Sequence, residues 1–270
     1  MQSVDEILSG VLSRLERKLE EAESTGWPLM DKLLINTGVI PKHTVLIGDD
    51  SNDVYAGLLN MVVAQVDAGK KVLLISTDKQ RNDLLGDLLL VAGNLSRTQI
   101  TTIDRRNLPK QCINIIRAYE SRQFSCVNLE PHEFSLSIKQ CANKNSSGMT
   151  DGYDLIAIDS LHSFITGEFN NFYEEFSSIL RKLNILCKRD SISLVYGSSA
   201  NRRGRPGKIS ATNIRDSGVA EELADLVVSV DRYKTRNSNN QRMLRLVKPL
   251  FPGLVQLKCQ MNQETMRLSV

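Results

Sequence analysis

The chain has 270 residues, 41% of them hydrophobic and 24% charged, with a formal net charge of +3 at pH 7. This suits one large domain plus an appendage and excludes a low-complexity or disordered chain. The near-balanced charge names no partner, so any nucleic-acid contact must come from local basic clusters.

In chain order, residues 3–22 read as an amphipathic helix. Ser3 and Glu6 form a capping box, and Val4, Ile7, Leu8, Val11, Leu12, Leu15 and Leu19 make one apolar stripe at helical spacing. Gly26 and Pro28 end it. A lone helix of this kind is not stable in water. Its stripe therefore packs either on its own domain or on a neighbouring subunit. Residues 1–25 are thus expected to be a linker helix and 26–270 one domain.

From residue 40 the pattern becomes α/β. Strands are expected at Thr44–Ile47, Val72–Ser76, Phe124–Leu129, Tyr153–Ile158 and Ser191–Tyr196. Helices are expected at Asp53–Asp67, Lys79–Val91, within 104–120 around Pro109, at Glu133–Cys141 and at Asn171–Lys188. Alternation of this kind predicts a mostly parallel sheet with helices on both faces. Leu226–Val230, Met243–Val247 and Leu254–Cys259 are closely spaced apolar runs, which suit an antiparallel extension of that sheet.

In open α/β folds ligands bind at the carboxyl ends of the strands. The first strand runs into GDDSNDVY, where a phosphate-binding loop would read GxxxxGK[ST]. Gly48 keeps the first glycine position. Asp53 stands at the second glycine, Val54 at the lysine and Tyr55 at the Ser/Thr. With Asp49 and Asp50, the spot carries three carboxylates where a neutral or cationic cradle is needed. A carboxylate beside a triphosphate costs on the order of 1 kcal/mol or more. No cofactor is expected, and ATP with Mg²⁺ fits only in a non-standard geometry.

Several segments in matching order resemble the C-terminal motor domain of DnaB-type replicative helicases, within the RecA-like superfamily. They are the lead-in GWPLMDKLLINTGVIPKHTVLIG (26–48), LEPHEF (129–134), YDLIAIDSLHSFI (153–165), SLVYGSSANRR (193–203) and IRDSGVAEELADLVVSVDRYK (214–234). The resemblance implies a RecA-like core with a C-terminal antiparallel extension and an N-terminal linker helix. It also locates departures beyond the phosphate loop. Asp78 stands where the family has a catalytic Glu, Ser199 where it has a sensor Gln, and Leu250 where it has an arginine finger, next to a surviving Lys248. Asp159, at the end of the Walker B strand, stays in place. Gly48, Asp78 and Asp159 are therefore read as remnants of a nucleotide site, with no catalytic residue.

The basic Gly/Pro loop NRRGRPGKIS (201–210) follows the sensor strand. The resemblance implies that this loop faces single-stranded DNA, and Arg202, Arg203, Arg205 and Lys208 suit phosphate contacts. It contains no aromatic residue for base stacking. Ile7, Leu8, Val11, Leu12, Leu15 and Leu19 are the expected contact with another subunit, by homo-oligomerisation or with a DnaB-like or RecA-like protein. The expected role is that of a non-catalytic helicase-like subunit in DNA replication or recombination. Two alternatives stay open. One is a pseudo-ATPase ring module acting on RNA. The other is a divergent NTPase using Asp159 and Asp78, with Lys248 supplied by a neighbour.

Cysteines 112, 126, 141, 187 and 259 are odd in number and lack CxxC spacing, so buried thiols in a reducing cytoplasm are expected rather than zinc or disulfides. His43, His132 and His162 have no HxxxH spacing, and no metal site is expected. No apolar run is long enough to span a membrane, and no signal peptide is expected.

Overall fold

Apolar runs without alternation belong to strands covered on both faces. In the computed structural model β1 (His43–Gly48), β2 (Val72–Ser76) and β4 (Leu155–Ile158) are buried at every residue. The structure describes residues 30–31, 42–134, 137, 152–167, 171–200, 209–214, 218–232, 240–248 and 256–269. The expected linker helix 1–25 lies outside these residues, with Ile7, Leu8, Val11, Leu12, Leu15 and Leu19. So do the stretch carrying Arg202, Arg203, Arg205 and Lys208, most of the expected helix Glu133–Cys141, and Leu250.

β3 (Phe124–Asn128), β5 (Ser193–Ser199) and β6 (Leu226–Arg232) complete the parallel part of the sheet. β7 (Gln241–Lys248), β8 (Gln256–Met261) and β9 (Leu268–Ser269) extend it antiparallel. The order is β3-β2-β4-β5-β1-β6-β7-β8-β9. The expected mixed sheet is thus present, with β9 as an extra strand too short to be read from periodicity.

Helices α1 (Ser51–Asp67), α2 (Arg81–Gly93) and α4 (Lys110–Glu120) pack on one face around Leu46, Val62, Leu74, Leu88 and Ile115. Helices α5 (Phe172–Asp190) and α6 (Gly218–Leu223) cover the other, around Ile47, Ile156, Phe176 and Leu183. A short α3 (Arg97–Thr102) links α2 to α4, and Pro109 caps α4. Sequence signals account for the helix ends. Asp50 accepts from the Asn52 N–H at 2.8 Å and starts α1. Ser96 and Gln99 close a capping box on α3. α5 has Glu174 and Glu175 in its first turn and Lys188 and Arg189 in its last, as the helix dipole favours.

All parallel strands end at one edge. That edge gathers Gly48 of β1, Ser76 of β2, Asp159 after β4, Ser199 of β5 and Arg232 of β6. Antiparallel β7 begins there, with Arg242 opposite Arg232.

Candidate functional site

The first turn of α1 occupies the phosphate-loop position, and its charges are matched from within. Asp53 is 1% exposed. Arg242, also 1% exposed, meets it at two atoms: Nη2 donates to Oδ1 at 3.0 Å, and Nε lies 2.7 Å from Oδ2 as an ion pair. Arg232 Nε donates to Asp53 Oδ2 at 3.1 Å, and its Nη2 pairs with Asp50. Two carboxylates and two guanidiniums therefore form a cluster of zero formal charge at a helix N-terminus, where a carboxylate is favoured by the dipole. Strand alternation builds it. Val228, Val230 and Arg232 face α1 from β6, as do Arg242, Leu244 and Leu246 from β7. The sequence suggests carboxylates that repel phosphate; the structure instead shows Asp50 and Asp53 bound to arginines. Sequence reasoning misses both arginines, although each sits in phase with buried aliphatic residues, where a lone cation is out of place.

The two following positions point elsewhere. Val54, at the lysine position, is buried and packs beside the backbones of Gly48 and Gly197. Tyr55, at the Ser/Thr position, donates its hydroxyl to Asp87 Oδ2 at 3.1 Å. Asp87 is buried and also pairs with Lys79 at 2.6 Å, whose ammonium lies 4.3 Å from the centre of the Tyr55 ring. Burial and the Asp87 charge push the Tyr55 phenol far above its ordinary range. Gly48 has a packing reason of its own, because a Cβ there would lie 2.8 Å from both the Val230 carbonyl oxygen and Val54 Cγ2.

Asp159 lies at the same edge. It accepts from the Ser76 hydroxyl and, at 2.6 Å, from the Ser160 N–H. Burial pushes its pKa up to about 6 despite these bonds, and the nearby Asp78 adds to the rise while Lys79 opposes it. Asp78 is exposed and bonded to Thr77 at 3.0 Å. The Ser76 hydroxyl also accepts from the N–H groups of Asp78 and Lys79, so the β2 and β4 ends are tied together.

Ser199 is exposed at the end of β5. Next to it, the Ala200 N–H donates to the Gly48 carbonyl at 2.7 Å, and Ala200 bridges to Ile214. Arg245 of β7 pairs with the buried Asp231 of β6 at 2.7 Å and donates to the Ile209 carbonyl at 3.2 Å. One flank of the basic loop is therefore bonded to β1 and the other to β7. Burial raises the Asp231 carboxyl above the usual range, and Oδ1 has no partner among the described residues. Lys248 sits at the opposite end of the sheet and donates to the Glu221 and Glu222 carbonyls at 2.6 and 3.4 Å, capping α6. His162 stacks on Phe176 with ring centres 4.4 Å apart, a packing role. Cys112, Cys126, Cys187 and Cys259 are buried free thiols, as expected of them; Cys141 lies outside the described residues. No helix among the described residues is long and apolar enough to cross a membrane.

Residues 35–261 match the family model of the DnaB-like helicase C-terminal domain. Similar solved structures include one described as an ATPase domain, with 16% identity and a TM-score of 0.70, covering 99% of this chain and 98% of that one. A DnaB-like replicative helicase, described with its interactions with primase, gives 16% identity and 0.69, covering 99% and 67%. The KaiC-like protein PH0186 from Pyrococcus horikoshii OT3 gives 12% and 0.57, covering 84% and 89%. At these identities the structures speak for the fold. No curated protein sequence matches the chain.

Proposed function

The chain belongs to the family of DnaB-like helicase C-terminal domains, and from that premise we propose that it is a non-catalytic helicase-type subunit that binds single-stranded DNA and assembles with other subunits. One observation carries the non-catalytic part. The positions that would hold phosphate and Mg²⁺ are filled by side chains bonded inside the protein: Asp53 to Arg232 and Arg242, Val54 within the core, Tyr55 to Asp87. A phosphate loop works by presenting free N–H groups and a lysine to the nucleotide. Here a carboxylate and an aliphatic side chain stand at the second glycine and lysine positions. The changed residues at 78, 199 and 250 point the same way.

The DNA part rests on the basic loop. Arg202, Arg203, Arg205 and Lys208 supply the charge for phosphate contacts, and the flanking Ala200 and Ile209 are held by Gly48 and Arg245. Assembly rests on the apolar stripe through Ile7, Leu8, Val11, Leu12, Leu15 and Leu19.

Two measurements test the proposal. Thermal unfolding with millimolar ATP and Mg²⁺ is expected to show no stabilisation. Binding at ~100 times Kd would add about 2.7 kcal/mol, and a shift of that size would support a divergent NTPase at Asp159 and Asp78. Single-stranded DNA is expected to bind with an affinity that falls steeply with salt, and the Arg202→Ala/Arg203→Ala/Arg205→Ala variant is expected to lose that binding. Unchanged affinity in the variant would overturn the loop assignment, and preference for single-stranded RNA would favour a ring module acting on RNA.

A further inference from the structure

We infer that Asp53 is a built-in counter-anion. From the first turn of α1 its carboxylate fills an anion seat between Arg232 and Arg242, and so locks the Arg232–Arg242 end of the β6–β7 ribbon onto α1 without any ligand. The inference rests on the reading that this site no longer takes nucleotide.

The start of a long helix in this topology offers unpaired N–H groups and a partial positive charge, an environment that an external anion satisfies in phosphate-binding folds. α1 has 17 residues; Asp50 caps it by accepting from the Asn52 N–H, and Asp53 lies in its first turn, within reach of the same dipole. The seat is lined by two guanidiniums; the fully buried one, Arg242, donates Nη2 to Asp53 Oδ1 at 3.0 Å and holds Nε 2.7 Å from Oδ2 as an ion pair. A guanidinium pairs in this way with carboxylate and phosphate alike. Arg232 and Arg242 are cross-strand partners, so without an anion between them two like charges would face each other across the ladder. Asp50 supplies the second negative charge, and the cluster sums to zero. The lock therefore joins α1 to both strands through one carboxylate.

The test removes that charge and asks whether an anion from solution replaces it. Asp53→Asn keeps the shape and loses the charge. Its thermal midpoint is expected to fall by about 5 °C or more. Inorganic pyrophosphate at millimolar concentration is expected to recover half or more of the loss, measured against chloride at matched ionic strength. The double variant Asp53→Asn/Arg242→Gln removes both members of the buried pair and is expected to show no pyrophosphate response. Should Asp53→Asn precipitate, its refolding yield from urea with and without pyrophosphate gives the same reading. A single variant that melts like the wild type, or one that responds to pyrophosphate no more than to chloride, would overturn the inference. Stabilisation of the wild type by ATP and Mg²⁺, alongside rescue of Asp53→Asn, would defeat the proposed function and leave the lock standing.

Discussion

Asp159 shows how one side chain at this edge affects stability. Its pKa rises from 3.8 to about 6 because it is buried, and the Ser76 and Ser160 bonds only partly offset that. A carboxyl whose folded pKa is raised adds stability below its unfolded pKa, and that contribution is lost as pH rises through the folded value. Asp159 therefore destabilises the protein above about pH 6, by on the order of 2–3 kcal/mol. His43 acts oppositely in an overlapping window. Its pKa is lowered to about 4, chiefly by burial and then by Lys188 and Lys248, so its contribution is lost as pH falls from neutrality. The wild-type profile sums the two, and the difference between wild type and Asp159→Asn isolates the first. Urea unfolding is expected to show Asp159→Asn more stable by about 2 kcal/mol at pH 8, with the gap closing towards pH 4. An equal gap at both pH values would contradict the assignment. Removing the Asp53 side chain is expected to destabilise. Asp53→Ala leaves Arg242 buried with its main ion-pair partner gone, and urea unfolding is expected to register a loss of about 3–5 kcal/mol.

At the scale of elements, the close approach of strand ends decides which substitutions are tolerated. A Cβ on Gly197 of β5 would run into the Asp159 carbonyl oxygen and lie 3.0 Å from Val54 Cγ1. Gly197→Ala is expected to lower stability by about 1–3 kcal/mol or more in the same assay, through backbone displacement. Gly86 in α2 has nothing within 4 Å of a Cβ, so Gly86→Ala is expected to raise stability by roughly 0.5–1 kcal/mol. The C-terminal strand depends on Asn60 of α1, which donates to the Met266 carbonyl at 3.0 Å and accepts from the Leu268 N–H at 3.2 Å. Asn60→Ala is expected to speed amide exchange at Leu268, as local opening becomes easier. These elements are unequally legible in the sequence. The parallel strands stand out because residues such as Val72–Ile75 and Leu155–Ile158 are buried on both faces and leave no alternation to misread. α3 escapes a reading by periodicity although Ser96 and Gln99 spell its capping box, and β9 escapes it because two residues carry no period. Gly48 is singled out by motif spacing, and Asp78 and Asp159 by the family resemblance; the structure puts all three at the carboxyl edge of the sheet. The partners of Asp53 are not legible, since Arg232 and Arg242 lie 179 and 189 positions along the chain from it and only the sheet register brings them there.

Over the whole molecule, one nine-stranded sheet separates two helical layers, and the α1 N-terminus touches both the parallel half and the antiparallel extension. That placement ties positions 53, 54 and 55 to partners on several other elements. A glycine at 53 would strand Arg242 in the core. A lysine at 54 would place an ammonium in the apolar gap beside Gly48 and Gly197. Small residues at 55 would leave Asp87 without its phenol partner. Each phosphate-loop residue, introduced singly at these positions, is unfavourable in its present surroundings, so a GxxxxGK[ST] loop fits here only with matching changes in α2, β6 and β7. The salt bridge acts as a ratchet: single steps towards a glycine-rich, lysine-bearing loop run through variants less stable than the present chain.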